Sequence, residues 1–393
     1  MHLKLLNFLL VAVGLFAGPG VIFILPYFIV QESYAAFAKL LTFSQIIILM
    51  GGAGLDIGCP RLKVPILIAT AILTIITMSA ALILFAVSGP LTLTEYGIVL
   101  CAGLFGALSA MYQSYFLFRG DAITYGLSGL SRSLVTLICL FVLLNFGNDA
   151  SISWGVATFA GFFASLYFVK KLYFDKIEEE KTPIQGWVNI LKLSLPFFFI
   201  NGAAVLPFIL DRFMSQRYMT NGDFARYMVV TTWAIPIVYI GNIYQQYLIA
   251  NFDIDSRKIL IKSFLTLFGA GAVYILLVTV LTKTYIAIPY FKDSEDFLLV
   301  WILVGGWFAL YGAMAFPAAA HVQKNMRENI ALSLSRWTAF VLPLALTASF
   351  FAARFWWAKI GIYAGVIFSA SFAFLMLTPR VYFVWRSLSK NPP

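Results

Sequence analysis

Three cations stand inside long apolar stretches of this 393-residue chain: Lys39, Arg132 and Arg336. A charged side chain is costly in hydrocarbon, so it faces a partner or a wet cavity. Arg132 lies nine residues past the start of its apolar run at Ile123, roughly 14 Å deep at about 1.5 Å of helical rise per residue. Thr124, Ser128, Arg132 and Thr136 recur at every fourth position, which on a helix makes one polar stripe. Two readings follow for Arg132. One is a water-lined lumen in which the guanidinium grips an anionic group with two hydrogen bonds. The other is an arginine tied to carbonyls of neighbouring helices. Arg336 is shallower and reads either as a lumen residue or as a side chain snorkelling to the inner interface. Lys39 and Arg226 fall near the outer ends of their runs, where a cavity rim and plain snorkelling are both open.

Other polar groups in the apolar runs are few. Asn201, near mid-depth in its run, reads as a substrate hydrogen-bonder or as a link between helices. Asp211-Arg212, near the outer end of the same run, reads first as an ion pair, and Gln245-Gln246 at an inner end as a solvated pair. Gly18-Pro19-Gly20 interrupts the first run and allows a kink at which a gate could bend; close packing through Gly14 and Gly18 is the alternative. Three cysteines and two histidines form no CxxC or ligand spacing, so disulfide and metal chemistry are not expected, nor any cofactor. There is no phosphate-binding loop, nucleophile elbow or zinc-protease helix. Catalysis is not expected.

The elements that must carry these residues follow from composition. Hydrophobic residues make up 61% of the chain and charged residues 11%, against roughly 45–50% and about 25% in soluble domains. No globule of this size has interior enough to hide that apolar surplus. The expected class is an all-α polytopic membrane protein. A net charge of +10 would suggest nucleic acid in a soluble protein; here it reads as cytoplasmic-loop excess, with no nucleic-acid partner. Apolar runs at 5–30, 35–55, 64–87, 96–118, 123–144 and 152–169, then 193–214, 224–249, 260–281, 297–320, 330–352 and 360–384, suggest twelve spans. The first run is too long for a signal peptide and reads as a retained helix. With the N-terminus inside, seventeen Lys and Arg fall on inner loops and flanks and seven on outer ones. That bias puts both termini and the charged loop 170–192 in the cytoplasm.

The halves carry matching fragments. Leu130-Ser131-Arg132 in the fifth span pairs with Leu334-Ser335-Arg336 in the eleventh, and Phe37-Ala38-Lys39 in the second with Phe224-Ala225-Arg226 in the eighth. Each pair is six helices apart, which suggests a duplicated six-helix bundle over 1–180 and 181–393. Because six is even, both copies would share one orientation, with a cavity between them.

Several motifs resemble those of bacterial O-antigen and polysaccharide flippases. Leu193-Ser194-Leu195-Pro196, Leu210-Asp211-Arg212-Phe213 and Asp223-Phe224-Ala225-Arg226-Tyr227 are similar to that family's seventh and eighth helices. Gly54-Leu55-Asp56-Ile57-Gly58 with Arg61 resembles the end of its second helix, and Phe118-Arg119-Gly120 another recurring element. Ala225 and Arg226 depart from the Gly-hydrophobic-Tyr usual at the eighth helix. The resemblance implies the multidrug/oligosaccharidyl-lipid/polysaccharide exporter superfamily, with two six-helix bundles in a V around a central cavity. It also implies an undecaprenyl-diphosphate-linked glycan as substrate, moved from the cytoplasmic to the periplasmic leaflet of the bacterial inner membrane. The lipid bilayer, a polysaccharide polymerase and a chain-length regulator are the implied partners. A cationic lumen formed by Arg132, Lys39, Arg226, Arg336, Ser128 and Asn201 suits a diphosphate.

Two rivals remain. A multidrug or cation antiporter of the same fold would want buried carboxylates, whereas Lys39, Arg132 and Arg336 have the opposite sign. A polymerase or ligase of polysaccharide assembly would be expected to carry a substantial outer loop, and the outer loops here are short.

Overall fold

The structure, a computed structural model, describes residues 22–174 and 207–325, with short gaps in each, and scattered positions within 190–198 and 370–381. Among the described residues the regular structure is helical throughout. After a single 3-10 turn at Leu25–Tyr27 come α1 (Gln31–Gly52), α2 (Leu55–Arg61), α3 (Ile66–Ser88), α4 (Leu93–Phe118), α5 (Ala122–Asn145) and α6 (Ala150–Phe174). Then follow α7 (Pro207–Tyr218), α8 (Asn221–Asn251), α9 (Arg257–Thr284) and α10 (Ser294–Asn325). Eight of these, all but α2 and α7, are long and apolar enough to cross a membrane. The protein is a multi-pass, all-α membrane protein, as its composition demands.

Several of these helices run past the apolar stretch that reveals them, and four begin on polar caps. Thr92 and Glu95 form a reciprocal box at the start of α4: Glu95 N–H donates to Thr92 Oγ1 at 3.2 Å and Thr92 N–H to Glu95 Oε2 at 2.8 Å. Thr220 and Asp223 open α8, with Asp223 N–H donating to Thr220 Oγ1 at 3.2 Å and the hydroxyl donating back to Oδ2 at 2.9 Å. Asp121 accepts from Thr124 N–H at 3.0 Å ahead of α5, and Asp149 from Ser151 N–H at 2.8 Å ahead of α6. Each cap satisfies donors that the first helical turn leaves open.

The segment between the expected second and third spans is not a plain loop. Gly54 takes φ 74°, the left-handed region that a glycine reaches without penalty. It ends α1 and redirects the chain into α2, whose Leu55 and Cys59 are buried. The Tyr115 hydroxyl donates to Val64 O at 2.6 Å and pins the exit of this segment to α4.

The chain divides into two compact units, one of Met1–Ile24 with Ala36–Phe198 and one of Leu25–Ala35 with Phe199–Pro393. In the first, helices approach closely through small residues, as lipid-embedded helices do. A Cβ at Gly106 would overlap Ile48 of α1, and one at Gly161 of α6 would overlap Thr136 Oγ1 of α5. In the second, a Cβ at Gly241 of α8 would overlap the Phe316 ring of α10. Here α8 and α10 are largely buried while α9 is mostly exposed. Pro236 and Pro317 lie inside α8 and α10.

Candidate functional site

The first unit holds the polar stripe. Thr124 is taken up by the cap of α5, its hydroxyl donating to Asp121 Oδ2 at 2.7 Å. Ser128 is 2% exposed, Arg132 is half-buried, and the Thr136 hydroxyl donates to Arg132 O at 2.8 Å. The Thr136 end of the stripe lies against α6, since a Cβ at Gly161 would sit 2.6 Å from Arg132 O. Before its C-terminal Asn145, the exposed positions of α5 are apolar: Ile123, Leu127, Leu134, Ile138 and Val142. The stripe therefore occupies the protein-facing side of α5, with Ser128 and Arg132 one turn apart. Lys39 lies on α1 of the same unit and is half-buried, beside the fully buried Phe37 and Ala38.

The second unit contains a denser polar group. Helices α7 and α8 are joined through Met219 and Thr220, and side chains on either side of that turn meet. Asp211 and Tyr227 are one such pair: the Tyr227 hydroxyl donates to Asp211 Oδ2 at 2.7 Å. The other carboxylate oxygen, Oδ1, accepts from the Arg212 backbone N–H at 2.6 Å. Asp211 and Tyr227 are 0% exposed and Arg212 is 3% exposed. The sequence reads Asp211-Arg212 as an ion pair near a helix end; the structure buries both residues and gives the carboxylate a tyrosine besides. Around them lie buried Ser215, Thr231 and Thr232. Tyr34, from the segment that belongs to this unit, places its hydroxyl 3.5 Å from Thr232 Oγ1.

The same segment is held at two more points. Gln31 Nε2 donates to Gly222 O at 2.8 Å, and the Tyr290 hydroxyl donates to Ile29 O at 2.8 Å. Arg226 sits one turn into α8, half-buried, with a guanidinium nitrogen 3.9 Å from Asp223 Oδ1. That distance is loose for a pair, and its solvent-facing setting gives it little energetic weight. Buried Phe224 and Ala225 precede it, as Phe37 and Ala38 precede Lys39.

Of the remaining expected site residues, Arg336, Asn201, Gly18, Pro19 and Gly20 lie outside the described residues. Tyr227, the partner of the buried Asp211, is not among the expected site residues, nor are Tyr34 and Thr232, which approach each other nearby. The hairpin carries a signal for Tyr227, since positions 211 and 227 lie at similar distances on either side of the turn. No sequence signal pairs Tyr34 with Thr232, which are 198 residues apart. Two motifs read separately do meet: Gly58 packs so closely on Ser194 that a Cβ there would overlap its hydroxyl.

No protein-family model matches the sequence, and no curated protein matches it. Solved structures do resemble it in fold. An inward-facing multidrug-resistance MATE transporter of the MOP superfamily aligns with TM-score 0.56 and 13% identity, over 98% of this chain and 96% of that one. A Vibrio cholerae MATE transporter aligns with TM-score 0.53 and 15% identity, over 98% and 96%. A MOP-superfamily transporter from Pyrococcus furiosus, for which a binding pocket of reverse polarity suggests a different function, aligns with TM-score 0.55 and 14% identity, over 100% and 94%. Along nearly its whole length the chain has the fold of MOP-superfamily transporters.

Proposed function

We propose that the chain is a membrane transporter that carries an anionic lipid-linked glycan, an undecaprenyl-diphosphate-linked oligosaccharide, from the cytoplasmic to the periplasmic leaflet of a bacterial inner membrane. The observation that carries this reading is the sign of charge in the first unit. Its described spans hold Lys39 and Arg132, with Lys170 and Lys171 near the end of α6, and, past their first turns, no acidic residue. A lumen of net positive charge favours a phosphorylated headgroup and repels a cationic drug. Arg132 would hold the diphosphate, Ser128 would donate a hydrogen bond beside it, and Lys39 and Arg226 would stand at the rims of two bundles spanning 1–180 and 181–393. Arg336 and Asn201 would complete the lining and Gly18-Pro19-Gly20 the bending point. A polysaccharide polymerase and a chain-length regulator would act on the product.

A second reading has its own support. Asp211 is a fully buried carboxylate, the type of residue a cation antiporter uses, and the fold is shared with multidrug transporters. Deletion of the gene separates the two. Loss of a flippase leaves lipid-linked repeat units on the cytoplasmic face, whereas loss of an antiporter leaves glycan export intact and sensitises the cell to cationic drugs. A polymerase would instead leave single units on the outer face. Reporter fusions check the orientation on which the reading depends: Glu179 should read cytoplasmic, and Asp149 and Lys292 periplasmic.

A further inference from the structure

Helix α9 carries a feature that the transport path does not use. Lys258, Ile261, Lys262, Leu265 and Thr266 line an open recess on its exposed side. Lys258 and Lys262 are one turn apart, so their ammonium groups rise from the same face, and both are exposed. Lysine beside lysine does not by itself stabilise the helix. Like charges at this spacing repel, and cations at a helix start oppose its dipole. Helices α1, α4 and α8 place Glu32, Glu95 and Asp223 in their first turns, whereas α9 has no acid there. Beside the two lysines the face turns apolar at once: Ile261 is 47% exposed and Leu265 61%, and the exposed apolar stripe continues through Val273 and Leu276.

Two cations above an apolar groove match the two ends of one molecule. We propose that this recess binds an anionic phospholipid, its phosphate between the Lys258 and Lys262 ammonium groups and an acyl chain along Ile261 and Leu265. Ammonium groups suit a phosphate as point charges with rotatable donors, and an acyl chain removes Ile261 and Leu265 from competing contacts. The general excess of cations at cytoplasmic helix ends asks only that charge lie near the surface. A lipid site asks for this pair in this geometry. The inference stands apart from the identity of the transported substrate.

Native mass spectrometry of the full-length chain, titrated in detergent with phosphatidylglycerol or phosphatidylcholine, tests it. The wild type should bind phosphatidylglycerol tightly and phosphatidylcholine weakly. At about fivefold per lysine, the Lys258→Gln/Lys262→Gln double variant should bind phosphatidylglycerol about 30-fold more weakly, and the difference should shrink with added salt. The Lys258→Arg/Lys262→Arg variant keeps both charges and should retain most of the affinity. Lys283→Gln, which removes an exposed cation at the other end of the same helix, should match the wild type. The site is refuted if the double Gln variant keeps its affinity, if Lys283→Gln loses as much, or if the two lipids bind alike.

Discussion

The Tyr227 hydroxyl donates a 2.7 Å hydrogen bond to Asp211 Oδ2 between two side chains that water does not reach. A carboxylate in such a place is stable only while its oxygens are occupied, and here a tyrosine from α8 and the Arg212 N–H from α7 share that work. The pair therefore joins the two helices about two turns away from the bend that connects them.

Tyr227→Phe removes the hydroxyl and leaves the ring. Deleting one hydrogen bond to a buried charge should cost about 1.5–3 kcal/mol. Thermal unfolding of the purified protein measures this, with Thr220→Ala as a cap variant expected to lose about 1 kcal/mol. A Tyr227→Phe protein as stable as the wild type would show that Asp211 does not depend on the tyrosine.

Gly161→Ala should destabilise the α5–α6 pair despite the better helix propensity of alanine. The added Cβ meets Thr136 Oγ1 and the Arg132 carbonyl, 2.6 Å away. Such overpacking costs about 1–3 kcal/mol, against a propensity gain of up to about 1 kcal/mol. Because the clash includes the Arg132 backbone, transport should fall along with stability. Gly97→Ala, where a Cβ meets nothing within 4 Å, is the control: it should leave transport unchanged and keep or raise stability, by up to about 1 kcal/mol.

Arg132 is half-buried on the protein-facing side of α5. If it holds a phosphate in transit, Arg132→Lys keeps the charge but loses the paired donors, and Arg132→Ala loses both. One charge-assisted contact is worth about 1.5–3 kcal/mol, so flipping should slow roughly 10- to 150-fold for alanine, with lysine between alanine and wild type. Normal flipping by Arg132→Ala, or failure only through loss of the protein from the membrane, makes this residue structural.

Cys59 and Cys101 should differ in reactivity. Burial, and then the negative charge of Asp56, pushes the Cys59 thiol up to about 12. A thiol is neutral below its pKa, and the thiolate is the reactive form, so Cys59 should resist maleimides at pH 7–9 until the protein is unfolded. Cys101 is exposed on a helix long and apolar enough to cross a membrane; it should resist a charged maleimide in the bilayer and react once detergent admits water to that face. Peptide mapping after labelling distinguishes them.

Much of this protein is legible in its sequence, because hydrocarbon leaves the backbone few options. Helices 31–52, 66–88 and 122–145 appear where the apolar runs 35–55, 64–87 and 123–144 announce them, since a backbone in lipid must satisfy its hydrogen bonds within the segment. The fourfold spacing of Thr124, Ser128, Arg132 and Thr136 likewise marks one face of α5, a consequence of helical geometry alone. Tertiary structure decided what that face meets: α6, at Gly161. It also decided that Asp211 is held by Tyr227, that Tyr34 stands by Thr232, and that residues 25–35 belong with the second unit. Those relationships depend on which helices approach and on how closely small residues let them come. Hydropathy, which measures each segment against lipid and not against its neighbours, carries no record of either.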